Sequence, residues 1–118
     1  MVKRKKAIFL DRDGVLVKSI IRKKKGYAPK TIKEFSLYPN ITEPCNVIKK
    51  KKYIIIIITN QPDIGNGKTT MSIFNKMNSI LKSKISYDKL YVSISHSLKS
   101  KYRKPNIGLF NLAIKKYN

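Results

Sequence analysis

The chain has 118 residues, and its 27 Lys and Arg against 6 Asp and Glu give a formal net charge of +21. This length fits one domain, expected to span residues 1–118, and excludes a series of independently folding modules. A hydrophobic fraction of 42% can form a core, which argues against disorder along the whole chain. The single cysteine, Cys45, excludes an internal disulfide and any multi-cysteine metal site.

The sequence shows no sign of a membrane partner. No apolar run approaches the roughly 20 residues that span a bilayer. The basic start is followed by only a short apolar run, Ala7–Leu10, which is too short for the apolar segment of a signal peptide. We therefore expect a soluble, intracellular protein, located in the cytoplasm or, in a eukaryote, in the nucleus.

Three short apolar runs predict buried strands: Ala7–Leu10, Tyr53–Ile58 and Leu90–Ile94. Because the runs are continuous rather than alternating, they are typical of a parallel sheet covered on both faces. Helical segments are predicted between and after them. The sequence thus predicts an α/β fold, a Rossmann-like parallel sheet with flanking helices.

The three helices are predicted from caps and apolar spacing. The first begins near Thr42, with Pro44 in its first turn, and reaches Lys52. The second is capped by Thr69 or Thr70 and the third opens at Pro105. Their apolar stripes are Phe74, Met77, Ile80 and Leu81 in the second helix, and Leu109, Leu112 and Ala113 in the third.

Nearly all of the excess charge is lysine, in runs such as Lys23–Lys25 and Lys49–Lys52. A surplus of this kind favours a polyanionic partner, because each neutralised phosphate releases a counterion. Mutational bias in an AT-rich genome would also enrich lysine, although it explains the scarcity of Asp and Glu less well. On charge alone, nucleic-acid contact and compositional bias both stay open.

Ligands of such sheets bind beyond the carboxyl ends of the strands, so the residues at those ends are the candidate site. Asp11 and Asp13 follow the first strand, with Gly14 available for a tight turn. Two carboxylates one residue apart can hold Mg²⁺, and one can attack phosphorus while the other exchanges a proton with the leaving oxygen. An ordinary Asp-Gly turn is the alternative.

Thr59, Asn60 and Gln61 follow the second strand. A hydroxyl there, with free backbone N–H groups behind it, can bind phosphoryl oxygens. An ordinary loop is the alternative. The following Gly67-Lys68 resembles the end of a P-loop, but Pro62 occupies the place of the required glycine, which excludes that motif.

Arg103 and Lys104 come after the third strand and a short loop. A lysine there can neutralise a phosphoryl group in transfer, and an arginine can bind two of its oxygens. A solvated basic pair is the alternative. His96, in the same loop, is expected to be a loop residue rather than a metal ligand.

The three strand ends, taken in order, resemble the haloacid dehalogenase (HAD) superfamily of aspartate-nucleophile phosphatases. Asp11-x-Asp13-Gly14 resembles its first motif, Thr59-Asn60 its second and Lys104 its third. The resemblance implies that Asp11 is the nucleophile and forms a phosphoaspartate, and that Asp13 is the general acid/base. It further implies that Thr59, Asn60 and Lys104 position and stabilise the phosphoryl group, and that Mg²⁺ binds the Asp11 carboxylate and the backbone carbonyl of Asp13.

Within the superfamily, Tyr102-Arg103-Lys104-Pro105 and Leu37-Tyr38-Pro39-Asn40 are similar to the phosphatase domain of polynucleotide kinase 3′-phosphatases. Nucleic acid with a 3′-phosphate end, such as damaged DNA, is then the implied partner. Phe9-Leu10-Asp11-Arg12-Asp13-Gly14 instead resembles the heptose bisphosphate and histidinol phosphatases. The cysteine-ligated zinc loop of that branch is excluded, since the stretch before Arg103 contains no cysteine and is too short. A nucleic-acid-binding remnant without catalysis is the non-enzymatic alternative.

The resemblance also implies a fourth motif, which supplies another Mg²⁺ carboxylate on a later strand. Asp88 is the last acid of the sequence, so this motif has no counterpart here. We therefore expect a sheet truncated before its fourth core strand, with Ala7–Leu10 at an apolar edge, and weak Mg²⁺ binding.

Overall fold

Within the described residues, 5–95, 97 and 99–117, the computed structural model has five strands and four helices. The strands are β1 (Ala7–Leu10), β2 (Ile20–Arg22), β3 (Lys25–Tyr27), β4 (Ile54–Asn60) and β5 (Lys89–Ser93). The helices are α1 (Thr42–Lys50), α2 (Pro62–Gly65), α3 (Met71–Lys84) and α4 (Gly108–Tyr117). No helix among these residues has the length and apolar character needed to cross a membrane.

The predicted parallel sheet is confirmed, with strand order β1-β4-β5. β1 forms one edge of the sheet in the part of the chain described here. β4 starts one residue later than predicted and continues to Asn60. Thr59 and Asn60 are therefore the last residues of a central strand, where ladder hydrogen bonds fix their backbone. β5 begins and ends one residue earlier than predicted.

The isoleucines of β4 supply both faces of the core. Ile55 and Ile57 are fully buried on one face, which packs against residues from α1 and α3. Ile54, Ile56 and Ile58 point to the other face and pack against Leu109 and Ala113 of α4. Successive strand residues alternate between faces, so a sheet covered on both sides needs apolar residues at every position. Burial on both faces of the sheet thus explains the uninterrupted run of isoleucines in β4.

The predicted helices form, with shifted ends. Ile41, without a side-chain cap, precedes α1, which ends at Lys50 rather than Lys52. Thr70 caps α3 by accepting a hydrogen bond from the Ile73 N–H at 3.2 Å. α4 begins at Gly108 rather than Pro105.

Two residues were wrongly predicted to lie on buried helix stripes. Ile80 of α3 is 39% exposed and Leu112 of α4 is 42% exposed, whereas their stripe neighbours are buried. At about 100° per residue, each lies roughly a quarter turn from the centre of its buried face. The apolar stripes are therefore narrower than the sequence suggests.

The sequence did not predict the β2–β3 hairpin or the short helix α2. The hairpin turns at Lys23 and Lys24, whose φ angles are +49° and +64°. Turns with two positive φ angles normally carry Asn or Gly, so the lysines give no turn signal.

Candidate active site

The carboxyl ends of β1 and β4 meet the loop that follows β5 at a cavity of about 400 Å³. The residues that line it are Asp11, Asp13, Thr59, Asn60, Lys104 and Pro105. The structure thus brings together five of the seven predicted site residues. Parallel strands place their carboxyl ends at one edge of a sheet, which explains why residues so distant in sequence converge.

Asp11 and Lys104 form an ion pair at this cavity. The Lys104 ammonium contacts Asp11 Oδ1, and the Asp11 side chain remains 53% exposed. The same ammonium donates to the Ile58 carbonyl at 2.8 Å. Burial lowers the pKa of the Lys104 ammonium, because desolvation disfavours its charged form. Asp11 is thus an accessible carboxylate with a fixed cation beside it.

Asn60 fixes the backbone that carries Lys104. Its Oδ1 accepts a hydrogen bond from the Lys104 N–H at 2.9 Å, and its Nδ2 donates to the Lys104 carbonyl at 3.1 Å. The Lys104–Pro105 peptide bond is cis. This positioning role of Asn60 was not foreseen, since it joins residues that are 44 positions apart. The predicted contact between Asn60 and a phosphoryl group stays a prediction.

Asp13 lies deeper than Asp11, and both of its oxygens accept hydrogen bonds. Oδ1 accepts from Arg12, at 3.1 Å from Nε and 3.0 Å from the nearer terminal nitrogen. Oδ2 accepts from Gln61 Nε2 at 2.5 Å. Gln61 Nε2 also lies 3.0 Å from Thr59 Oγ1, which makes the two strand ends one network. Gln61 was predicted to bind substrate; the structure shows its amide bound to Asp13 and Thr59, and substrate contact stays a prediction.

The tight turn predicted at Gly14 is confirmed. Its φ is +86°, a backbone conformation that favours glycine, and its N–H donates to the Val17 carbonyl at 2.7 Å. This turn sends the chain away from the cavity immediately after Asp13, towards the β2–β3 hairpin.

The loop after β4 differs from the prediction. Its backbone N–H groups at positions 61, 64 and 66–69 donate to carbonyl groups, so they do not form the free phosphate-binding set that was expected. The Gln61 N–H donates to the Ser93 carbonyl of β5, and the others donate to carbonyl groups of residues 61–64 within the loop. Gly65 packs against the loop after β5, where an added Cβ would lie 2.0 Å from the Ile94 carbonyl oxygen. Glycine is therefore required for the two loops to meet.

The two predicted site residues that do not line the cavity are Gln61, described above, and Arg103. Arg103 is half-buried in the loop before Lys104, and its N–H donates to the Ser100 carbonyl at 3.2 Å. Its role in substrate binding stays a prediction. His96 lies outside the described residues.

The oxygen donors at the cavity fit Mg²⁺. Asp11 and Asp13 both line the cavity. The described residues contain no group of three or more His, Cys, Asp or Glu side chains that could hold a metal, so protein side chains alone would not complete the coordination shell. Mg²⁺ commonly uses one or two carboxylates and completes its shell with water and substrate phosphate oxygens. The weak Mg²⁺ binding that we expect without a fourth-motif carboxylate stays a prediction.

Comparisons with known proteins assign this arrangement to a family. The profile of the family described as polynucleotide kinase 3 phosphatase matches residues 6–118. The chain belongs to this family. Its parallel sheet with flanking helices is therefore the fold of a HAD-like phosphatase domain.

Individual relatives agree with the fold. A D-glycero-alpha-D-manno-heptose-1,7-bisphosphate 7-phosphatase of Campylobacter jejuni is 35% identical over 109 residues, which cover 88% of this chain and 59% of the relative. An uncharacterised protein of Methanocaldococcus jannaschii is 50% identical over 56 residues, 48% of this chain and 53% of that protein. The chain thus spans little more than half the length of these relatives.

A solved structure has the same architecture. The D,D-heptose 1,7-bisphosphate phosphatase of B. bronchiseptica, complexed with magnesium and phosphate, superimposes with a TM-score of 0.76 and 19% identity. The match covers 95% of this chain and 63% of that chain. At this identity the likeness establishes the fold.

Proposed function

We propose that the chain forms the catalytic site of a Mg²⁺-dependent phosphomonoesterase that removes 3′-phosphates from nucleic-acid ends through a phosphoaspartate on Asp11. One observation carries the proposal: an exposed Asp11 carboxylate, the Lys104 ammonium and a hydrogen-bonded Asp13 share one cavity at the ends of parallel strands. Removal of a 3′-phosphate is a step of DNA end repair, because it leaves a 3′-hydroxyl.

The residues divide the reaction into two steps. In the first, an Asp11 oxygen attacks phosphorus, and the bond to the leaving oxygen breaks as Asp13 donates a proton to that oxygen. In the second, Asp13 takes a proton from water, which attacks the same phosphorus. The bond between phosphorus and Asp11 then breaks, inorganic phosphate leaves and Asp11 is regenerated.

Charge and position support the transfer. The Lys104 ammonium neutralises charge on the phosphoryl oxygens, and Thr59 and Asn60 orient them. Arg103 is the candidate second cation for the same group. Mg²⁺, held by Asp11 and Asp13, would supply further neutralisation of phosphoryl charge when bound.

The substrate class is chosen by charge and by family. A net charge of +21 favours a polyanion over a small sugar phosphate, and the matching family is that of polynucleotide 3-phosphatases. The second candidate is a heptose 1,7-bisphosphate, because the curated relatives with 35% and 30% identity carry that activity in their names. Histidinol phosphate is a further small-molecule alternative within the same chemistry.

The test compares substrates at fixed Mg²⁺. A 3′-phosphorylated oligonucleotide, its 5′-phosphorylated isomer, heptose 1,7-bisphosphate and histidinol phosphate are assayed for phosphate release. We expect release from the 3′-phosphorylated strand and little from its isomer. Turnover confined to the small molecules would show that the nucleic-acid assignment is wrong. Salt-sensitive DNA binding without any turnover would support a non-catalytic binding protein instead.

A further inference from the structure

A fully buried arginine lies directly behind the site. Arg12, between the two aspartates in sequence, has 0% exposure. Its guanidinium lies 4.8 Å from the ring centroid of Phe74 and 5.8 Å from that of Phe35. The two rings hold the guanidinium in place, and cation–π attraction offsets part of its lost hydration.

The guanidinium of Arg12 contacts the Asp13 carboxylate on one side and residues of α3 on the other, including the Met77 sulfur at 4.0 Å. Nε and one terminal nitrogen contact Asp13 Oδ1, and the other terminal nitrogen donates to Asn78 Oδ1 at 3.0 Å. Asn78, on α3, thereby sets the rotation of the guanidinium plane. Gln61 holds the opposite oxygen of Asp13. The carboxylate is held from two sides, by residues of the loops that follow β1 and β4.

Burial of a guanidinium costs desolvation free energy, and packing alone does not require a charged residue at this position. An apolar side chain of similar length could fill the space between two phenylalanines and α3 without the desolvation cost. Arginine at this place does one thing that an apolar residue cannot do, which is to bind Asp13 in a defined orientation.

We propose that Arg12 is a positioning residue: together with Gln61 it holds the Asp13 carboxylate in the orientation needed for proton transfer to the leaving oxygen. This inference rests on the proposed phosphatase function. It predicts a selective defect. If Asp13 is displaced, substrates whose leaving oxygen needs a proton suffer, whereas substrates with a stable anionic leaving group suffer much less.

The kinetic test uses Arg12→Met and Arg12→Lys with two substrates, a 3′-phosphorylated oligonucleotide and p-nitrophenyl phosphate, whose leaving group needs no proton. For Arg12→Met we expect kcat on the oligonucleotide to fall by about 10²-fold, the scale of general acid catalysis and of small displacements. We expect a much smaller loss on p-nitrophenyl phosphate, little change in KM, and partial recovery in Arg12→Lys.

Two further variants separate positioning from loss of structure. Leu81→Ala removes a buried side chain of α3, the helix that carries Asn78, without touching Asp13. It should lower activity on both substrates by the same factor. Asn78→Ala frees one side of the guanidinium and should give a milder form of the selective defect, even if Arg12→Met folds poorly. Equal losses on both substrates in Arg12→Met and Asn78→Ala would overturn the proposal.

A measurement without turnover tests the same contact. The side-chain amide signal of Gln61 in a ¹⁵N NMR spectrum, assigned by its loss in Gln61→Glu, reports the hydrogen bond to Asp13. It should move in Arg12→Met and in Asn78→Ala, and Arg12→Lys should lie closer to the unmodified chain. An unchanged Gln61 signal in folded Arg12→Met and Asn78→Ala would overturn the positioning role. Absent phosphatase activity with a displaced signal would overturn the proposed function and leave the positioning contact supported.

Discussion

A lysine–aspartate pair lies near each end of the central strand β4, and the two pairs are built differently. Near the amino end, Lys49 and Asp88 are 2.6 Å apart, and both side chains are 32% exposed. Near the carboxyl end, Lys104 is 21% exposed whereas Asp11 is 53% exposed. The two side chains of the first pair are equally exposed, whereas the second pair combines a half-buried cation with an exposed carboxylate.

Their hydrogen bonds explain the difference. Asp88 Oδ2 also accepts from the Ile55 N–H at 2.8 Å, so the pair joins α1, β4 and the start of β5. Burial would raise the pKa of Asp88, but hydrogen bonds from Lys49 and Ile55 outweigh it and lower the pKa. Asp88 is thus used by the fold. Asp11 lines a cavity and is available to a ligand. Accessibility of the acid, rather than ion pairing itself, distinguishes the pair that we propose to be catalytic.

Replacement of the accessible acid should have the largest effect. In Asp11→Asn the nucleophile is lost, and we expect phosphate release to fall by at least about 10³-fold. The matched control is Asp88→Asn, which changes the other pair and should keep neutral-pH turnover. Both are assayed for Mg²⁺-dependent phosphate release from a 3′-phosphorylated oligonucleotide. Turnover that survives Asp11→Asn would show that the assigned nucleophile is wrong.

Replacement of the lysines should repeat this contrast on a smaller scale. Lys104→Met removes the cation beside the phosphoryl group, and we expect kcat to fall by about 10²–10³-fold, as for loss of one oriented donor. Lys49→Met should leave kcat unchanged within experimental error. Steady-state kinetics on folded variants, with folding checked by circular dichroism, measure the difference. Equal losses in both variants would contradict the division between the two pairs.

Much of the carboxyl-end site could be anticipated from sequence, because parallel topology dictates which strand ends meet. Continuous apolar runs predicted three parallel strands, and the carboxyl ends of β1 and β4 bring Asp11 and Thr59 to one cavity, which Lys104 reaches from the loop after β5. Only the order of strands and residues was needed, and both are visible in the sequence.

Contacts that depend on side-chain packing could not be anticipated. Arg12 in isolation is a charged residue in a turn, and its burial depends on Phe35, Phe74 and Asn78 from distant segments. The hydrogen bonds of Asn60 to Lys104 depend on how a loop returns to the sheet. The β2–β3 hairpin lacks turn residues that would have signalled it.

The Lys49–Asp88 pair should contribute to the stability of the folded protein. We expect Asp88→Asn to lower the free energy of unfolding by about 1 kcal/mol at neutral pH, through loss of charge in two hydrogen bonds. Because the folded-state pKa of Asp88 lies below its ordinary value of 3.8, the contribution is present above that value. It is lost as the pH falls through the lower, folded-state pKa. Urea unfolding at neutral and acid pH measures this, and a difference independent of pH would contradict the assignment.

The smallest predicted effect is on nucleic-acid affinity, and it concerns the lysines near the two ends of β4. The contribution of the run Lys49–Lys52 to DNA affinity stays a prediction. The run lies near the amino end of β4, and the seven residues of that strand span about 20 Å. That exceeds the Debye length of about 8–10 Å, so these charges act weakly on a nucleic-acid end bound at the cavity. Lys99 and Lys101 belong to the exposed loop that leads to Lys104.

We therefore expect the double variant Lys99→Gln/Lys101→Gln to weaken oligonucleotide binding several-fold and to reduce the salt slope by up to about 2, as for two lost phosphate contacts. Lys50→Gln/Lys51→Gln removes the same charge from the other end and should change the affinity much less, with turnover intact. Fluorescence anisotropy across a salt series separates them. If the amino-end variant lost as much affinity, the nucleic acid would have to run along the whole length of β4, and the carboxyl-end cavity would be only one part of its contact surface.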